Sequence, residues 1–160
     1  MAGLNPISAP AALPPSTLMA APVAGSNTDF AASLAAARLP VADLAEPGRT
    51  FFAYQTPAGD GGIYGGYEMI EGHGLIRSIL VPASLRDKGH GRAVLSALLA
   101  EVKAAGAHDV YAYSPAASAK FFIHHGFREL ARYEVPPAIL GARIASLTCP
   151  ISTAILYRAL

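Results

Sequence analysis

The residues best suited to chemistry in this chain are Arg86-Asp87-Lys88-Gly89-His90-Gly91. They stand between a strand-like apolar run and a helix-like run. A basic, glycine-punctuated loop that opens a helix is built to hold phosphate. Backbone N–H groups point out of the helix start, the helix dipole adds partial positive charge, and glycine removes the Cβ that would block close approach. An isolated match of this kind is more often an ordinary tight turn. Here the strand before it and the helix after it favour an anion site. No Gly-Lys-Ser/Thr follows, so this is not the Walker loop of a nucleotide hydrolase.

A charged pair is the second candidate. Glu68 and Arg77 each interrupt an otherwise apolar, strand-like run, at 63–70 and 75–81. If the turn between them is an even loop centred on Gly72-His73, Ile70 faces Leu75, and Glu68 faces Arg77 on one side of the sheet. An arginine beside a carboxylate favours its ionised form and weakens it as a base. Such a carboxylate can still receive a proton through water, or the pair can hold an amino-acid-like molecule by its ammonium and acid groups. The pair can equally be a structural cross-strand salt bridge, since buried ion pairs often serve neither stability nor catalysis.

The other reactive side chains read as ordinary. His73 falls in a turn and reads as solvated, and the backbone of His90 matters more than its ring. His124-His125 suit the negative end of a helix. No pair has metal-ligand spacing, and no metal is expected. Cys149 beside Pro150 reads as a small buried side chain, and Phe121, Phe122 and Phe127 as packing residues.

These residues need a frame. Strand patterns cover 17–23, 50–55, 63–70, 75–81, 109–113, 127–135 and 153–158. Asn27 or Thr28 can cap a helix over 29–38, stopped by Pro40. The clearest helix is 91–105, where Val94, Leu98 and Val102 recur every four positions and Gly106 supplies the stop. Ser114-Pro115 reads as the start of a helix running to His125. The run at 75–81 is apolar on both faces except at its centre, the pattern of a central strand covered on both sides. Strands mixed with helices and antiparallel hairpins make an α+β, or mixed α/β, domain.

Composition narrows the class. At 160 residues a single domain is expected, and 52% apolar residues can build a sizeable core. A net charge of +1 argues against a nucleic-acid-coating surface. The single cysteine excludes an intrachain disulfide and thiolate-cluster metal sites, and fits a reducing, cytoplasmic location. No apolar run is long enough to span a membrane. Residues 1–15 read as a mobile Ala/Pro-rich leader and 16–160 as the domain. Deleting 1–15 is expected to leave the melting temperature and ligand affinity nearly unchanged, and a large loss of either would move the boundary.

The order strand, Arg-x-x-Gly-x-Gly, helix, strand, helix, His-His-Gly-Phe resembles the GNAT (Gcn5-related N-acetyltransferase) superfamily over roughly residues 28–160. Arg86, Gly89 and Gly91 match its coenzyme A pyrophosphate loop, and Gly126-Phe127 the end of the helix beside the cofactor. Leu75-Ile76-Arg77-Ser78, with Val135 to Ile139 and Leu147 to Pro150, is similar to a subgroup of arsenic-resistance N-acetyltransferases. The resemblance implies a mostly antiparallel mixed sheet, splayed between two strands and flanked by helices. It implies acetyl-CoA as cosubstrate, held by the backbone at Leu80 and Val81, by Arg86, Asp87, Lys88, Gly89, His90, Gly91 and Arg92, and by Ser118 and Phe122. Beside the splay, Glu68 and Arg77 become the candidate catalytic residues. The family often places an acid tyrosine four residues before the glycine of Gly-Phe, and here Phe122 stands there. Tyr113, Ser114 and Ser118 are the substitutes nearby in sequence, and a water or no acid at all is the alternative, because a thiolate is already a tolerable leaving group.

The expected activity is therefore transfer of an acetyl group to a small amine, by direct attack in a ternary complex. A detoxifying role on an amino-acid-like arsenical is implied by the subgroup. Acetylation of a protein N-terminus or lysine is the rival within the class, and a coenzyme A-binding protein without catalysis is the rival outside it. A homodimer stays open.

Overall fold

The computed structural model describes residues 17–160, so the expected leader at 1–15 lies outside the described residues. Among the described residues, seven strands form one open sheet in the order β1-β2-β3-β4-β5-β7-β6. They are β1 (Met19–Val23), β2 (Arg49–Gln55), β3 (Ile63–Ile70), β4 (His73–Leu80), β5 (Asp109–Pro115), β6 (Arg128–Leu130) and β7 (Thr153–Ala159). Only β4 and β5 run parallel, and every other pair is antiparallel. The expected mixed, mostly antiparallel sheet is what forms.

Both faces are covered. On one side, α2 (His90–Ala104) buries Val94, Leu95, Leu98 and Val102, the residues its four-residue spacing put on one stripe. It can sit close because β3 and β4 carry glycine beneath it. A Cβ at Gly65 would lie 2.6 Å from Val94 Cγ1, and one at Gly74 would lie 3.0 Å from Val102 Cβ. On the other side, α1 (Thr28–Ala36) buries Phe30 and Leu34 against Phe51 and Leu44. The Asn27 side chain caps that helix by accepting from Phe30 N–H at 2.9 Å. The same side continues through α4 (Pro137–Leu140) and α5 (Arg143–Leu147), whose Ile139 and Ile144 pack with Leu75, Tyr111 and Ile155.

Three expectations are corrected. First, the β3–β4 turn is tighter than an even loop centred on Gly72-His73. Glu71 and Gly72 are both left-handed, with φ 47° and 82°, the two-residue turn whose twist matches the flanking strands. Ile70 therefore faces His73, and Glu68 faces Leu75 rather than Arg77. The slip is two residues, so side-chain parity survives, and Glu68 and Arg77 still share a face as diagonal neighbours. Second, Ser114-Pro115 ends a strand instead of starting a helix. Pairing with β7 carries β5 through Pro115, opposite Thr153, and α3 (Ala119–His124) begins only after a 3-10 turn at Ala116–Ser118. Third, the strand expected over 127–135 is only Arg128–Leu130, because a 3-10 turn at Arg132–Glu134 takes its second half.

Candidate active site

The parallel ladder between β4 and β5 runs from His73↔Asp109 to Ile76↔Ala112 and stops there. Beyond it the strands part. The cause lies in β4. Gly66 pairs with Arg77 and Tyr64 with Leu80, so Ser78 and Ile79 together oppose Gly65. This is a β-bulge, and Ser78 sits in the left-handed region at φ 59°. A bulge bends and twists its strand, which turns β4 away from β5 while β5 stays paired to β7.

The gap opens into a cleft of about 770 Å³. Arg77, Ser78, Ile79, Leu80 and Val81 form one wall, Tyr113, Ser114 and Pro115 the other, and the glycine loop and α3 close its ends. Of the residues expected at the cofactor, Leu80, Val81, Arg86, Asp87, Gly89, His90, Gly91, Arg92, Ser118 and Phe122 all line this cleft. Lys88 is exposed on the same loop but is not among the lining residues.

The loop geometry suits an anion. Gly89 is the N-cap of α2 at φ 83°, and no side chain caps that helix. A Cβ at Gly89 would meet nothing within 4 Å, so the space above it is open. Arg86 donates from Nε to the Val81 carbonyl at 3.0 Å, which ties the loop to the end of β4 and leaves its outer N–H groups at the exposed rim. Gly91 lies under the ring of Phe121, where a Cβ would come within 3.3 Å of Cε2. His125 Nδ1 pairs with the Phe121 carbonyl at 2.7 Å, and His124 and His125 both edge the cleft.

Glu68 and Arg77 meet as expected, with Arg77 Nη1 3.5 Å from Glu68 Oε2. Yet Glu68 is not Arg77's main partner. Asp43, fully buried, accepts two hydrogen bonds from the Arg77 guanidinium, at 2.5 and 2.7 Å. Arg49 completes a quartet, with Nε 3.1 Å from Asp43 Oδ2 and 3.6 Å from Glu68 Oε2. Burial opposes ionisation of Asp43, but the hydrogen bonds and charge of Arg77, then of Arg49, outweigh it and hold the carboxyl below its ordinary range. The Arg77 side chain has no exposure, so what it contributes to the cleft wall is main chain, and Glu68 does not line the cleft. The sequence reading missed Asp43. Its one signal was a lone carboxylate inside the apolar run from Leu39 to Leu44.

A second cleft, of about 820 Å³, adjoins the first and shares Leu39, Tyr113, Pro115 and Ala117 with it. The segment after α1 lines one side, and Leu147, Thr148, Cys149, Ser152 and Thr153 line the other. Arg38, left-handed at φ 60°, is the one formally charged residue in its lining among the described residues. Cys149 is exposed here, which corrects its expected burial. Hydrogen bonding with Ser152 holds its thiol below the ordinary range.

The sequence offered three substitutes for the absent acid tyrosine. Two are committed elsewhere. The Tyr113 hydroxyl donates to the Ile139 carbonyl at 2.9 Å, and burial pushes its phenol pKa up. Ser114 Oγ donates to the Pro115 carbonyl at 3.0 Å. Ser118 lines the first cleft, and among the described residues its hydroxyl is tied to no other group.

A sheet split by a bulge beside an uncapped, glycine-opened helix is the arrangement that the resemblance to GNAT acetyltransferases implies. Comparison with known proteins agrees. The acetyltransferase (GNAT) family model matches residues 23–127. An acetyltransferase of the GNAT family from Staphylococcus aureus superposes on 90% of this chain and 99% of its own, with TM-score 0.67 and 15% identity. N-acetylglutamate synthase from Neisseria gonorrhoeae, in complex with coenzyme A and N-acetyl-glutamate, matches 89% of this chain but 35% of its own, with TM-score 0.67 and 17% identity. A Mycobacterium tuberculosis protein in complex with CoA matches 69% of this chain and 75% of its own, with TM-score 0.57 and 19% identity. No curated protein matched. The chain belongs to the GNAT acetyltransferase family, and its cosubstrate is acetyl-CoA.

Proposed function

We propose that this protein is a cytoplasmic N-acetyltransferase that acetylates a small amine by direct attack within a ternary complex. The observation that carries this reading is the junction of the two clefts at Leu39, Tyr113, Pro115 and Ala117. A donor in one and an acceptor in the other meet there without a covalent enzyme intermediate. Acetyl-CoA supplies an activated thioester: as the N–C bond forms the C–S bond breaks, one proton leaves the amine, and one ends on sulfur. The chain contributes alignment of the two reactants. In this reading the leaving sulfur falls to the hydroxyl of Ser118. Glu68 and Arg77 act as positioning residues, holding the segment after α1 through Asp43.

Charge supports the acceptor class. Among the described residues, the lining of the second cleft includes the cation Arg38 and no carboxylate, which favours an acceptor that carries an acidic group beside its amine. That supports an amino-acid-like acceptor, in keeping with the resemblance to arsenic-resistance enzymes, over a lysine side chain. Release of free thiol from acetyl-CoA across a panel of amines tests this. Amino acids and their acidic analogues are expected to turn over and polyamines not. Arg38→Asn, which tolerates the left-handed backbone, is expected to raise KM about tenfold or more, the loss of one charge-assisted contact. Tight coenzyme A binding with no turnover of any amine would leave a non-catalytic binding protein instead.

A further inference from the structure

At the closed end of the β4–β5 ladder, away from both clefts, three metal-ligating side chains converge. His73 opens β4 and Asp109 opens β5 as its partner in the ladder, with His108 just before it. His73 Nδ1 lies 2.6 Å from Asp109 Oδ1, and His108 Nε2 lies 3.7 Å from the same oxygen. All three ligand atoms fall within 4.8 Å of one another.

We propose that His73, His108 and Asp109 form a zinc site with a fourth position open to water. Ligand atoms 2.0–2.1 Å from a tetrahedral ion stand roughly 3.4 Å apart. The spacings here bracket that value, so His73 and Asp109 need to part by under about 1 Å and His108 to swing in. His108 can do so, since its side chain is 66% exposed. Two imidazoles and one carboxylate favour zinc over the hard cations, which take oxygen ligands.

The surroundings are those of a ligand set. The Tyr111 hydroxyl donates to Asp109 Oδ2 at 3.2 Å, which orients the carboxylate, while Oδ1 shares a hydrogen bond with His73 Nδ1 that the ion would replace. Gly72, before His73, makes room for the His108 ring: a Cβ there would come within 3.3 Å of His108 Cε1. The backbone also latches the two strand ends, with His108 N–H donating to the Gly72 carbonyl. The sequence hid this site because its ligands come from two strands that only the fold makes neighbours. A bound ion would cross-link β4 to β5 three ladder positions below the last pair before the splay, roughly 10 Å away. The site is thus structural and independent of the acyl-transfer reading.

The test uses full-length, untagged, metal-free protein. Zinc at a hundred times its Kd is expected to raise the melting temperature by about 5–10 °C, and cobalt(II) to give the intense visible bands of a tetrahedral site. His108→Ala changes an exposed side chain, so it should fold with an unaltered metal-free melting temperature and lose both responses. No response of the parent protein to either ion overturns the proposal. So does a response that His108→Ala retains, which would put the ion elsewhere, for example at His124 and His125.

Discussion

Asp43→Ala is expected to cost about 3–5 kcal/mol of stability, the usual result of stripping one partner from a buried ion pair. In a chain of this size that is a fall of about 6–20 °C in melting temperature. The physical reason is the arginine left behind. The Arg77 side chain has no exposure, and its remaining polar contacts are Glu68 at 3.5 Å and Ser78 Oγ at 3.4 Å, both long. Arg77 would then depend on Glu68 at 3.5 Å, a carboxylate it shares with Arg49, while Arg49 keeps Glu46 at 3.1 Å. Glu68→Gln is expected to be milder, about 1 kcal/mol, because it removes only the longer contacts. Asp43→Ala paired with Arg77→Met should recover much of the loss, since a well-packed apolar pair can replace a buried ion pair.

The same network sets an acid limit. The Asp43 carboxyl is held below its ordinary value of 3.8, so its contribution is fully present above that value. It is lost as the pH falls below about 4 and through the folded-state value. The parent protein should therefore lose stability in that window, and Asp43→Asn should flatten the loss. Function should follow structure. Asp43 anchors the segment whose Leu39, Pro40, Val41 and Ala42 line the second cleft. Sub-denaturing loosening in Glu68→Gln should raise the amine KM with little change in kcat. A fall in kcat at constant KM would instead make Glu68 the proton acceptor. An Asp43→Ala protein that melts with the parent would defeat the account of the quartet.

Gly91→Val is expected to weaken coenzyme A binding by at least about tenfold to a hundredfold, measured by calorimetry. A Cβ there already meets the Phe121 ring at 3.3 Å. The two added methyl groups must then push Phe121 aside or fill the cleft at the helix start. Folding should be nearly unaffected, because Gly91 is not left-handed and valine is a better helix residue than glycine. Arg86→Ala should lose about tenfold through the rim of the same loop. Unchanged affinity in a folded Gly91→Val protein would remove the glycine loop from the binding site.

Sequence by itself determined the parts governed by local spacing. The four-residue stripe of Val94, Leu98 and Val102 marked a buried helix face, and Arg86, Gly89 and Gly91, which line the cleft, could be picked out as a candidate anion loop because such loops are contiguous in the chain. Parity along strands put Glu68 and Arg77 on one face even though the assumed turn was wrong by two positions, since side-chain direction repeats every two residues. Only the tertiary structure decided which groups pair across distance. Asp43 lies 34 residues from Arg77 and carries no periodic signature. The Ser78 bulge leaves no mark in composition, because the bend of a strand depends on its neighbours' pairing. Cys149 could be placed in an open cleft rather than a core only once α1 and the segment before β7 were seen to face each other, and His73 found Asp109 and His108 only because β4 and β5 run side by side. Local propensity encodes elements, whereas register, splay and charge partners are settled by contacts whose sequence separation no local rule can reach.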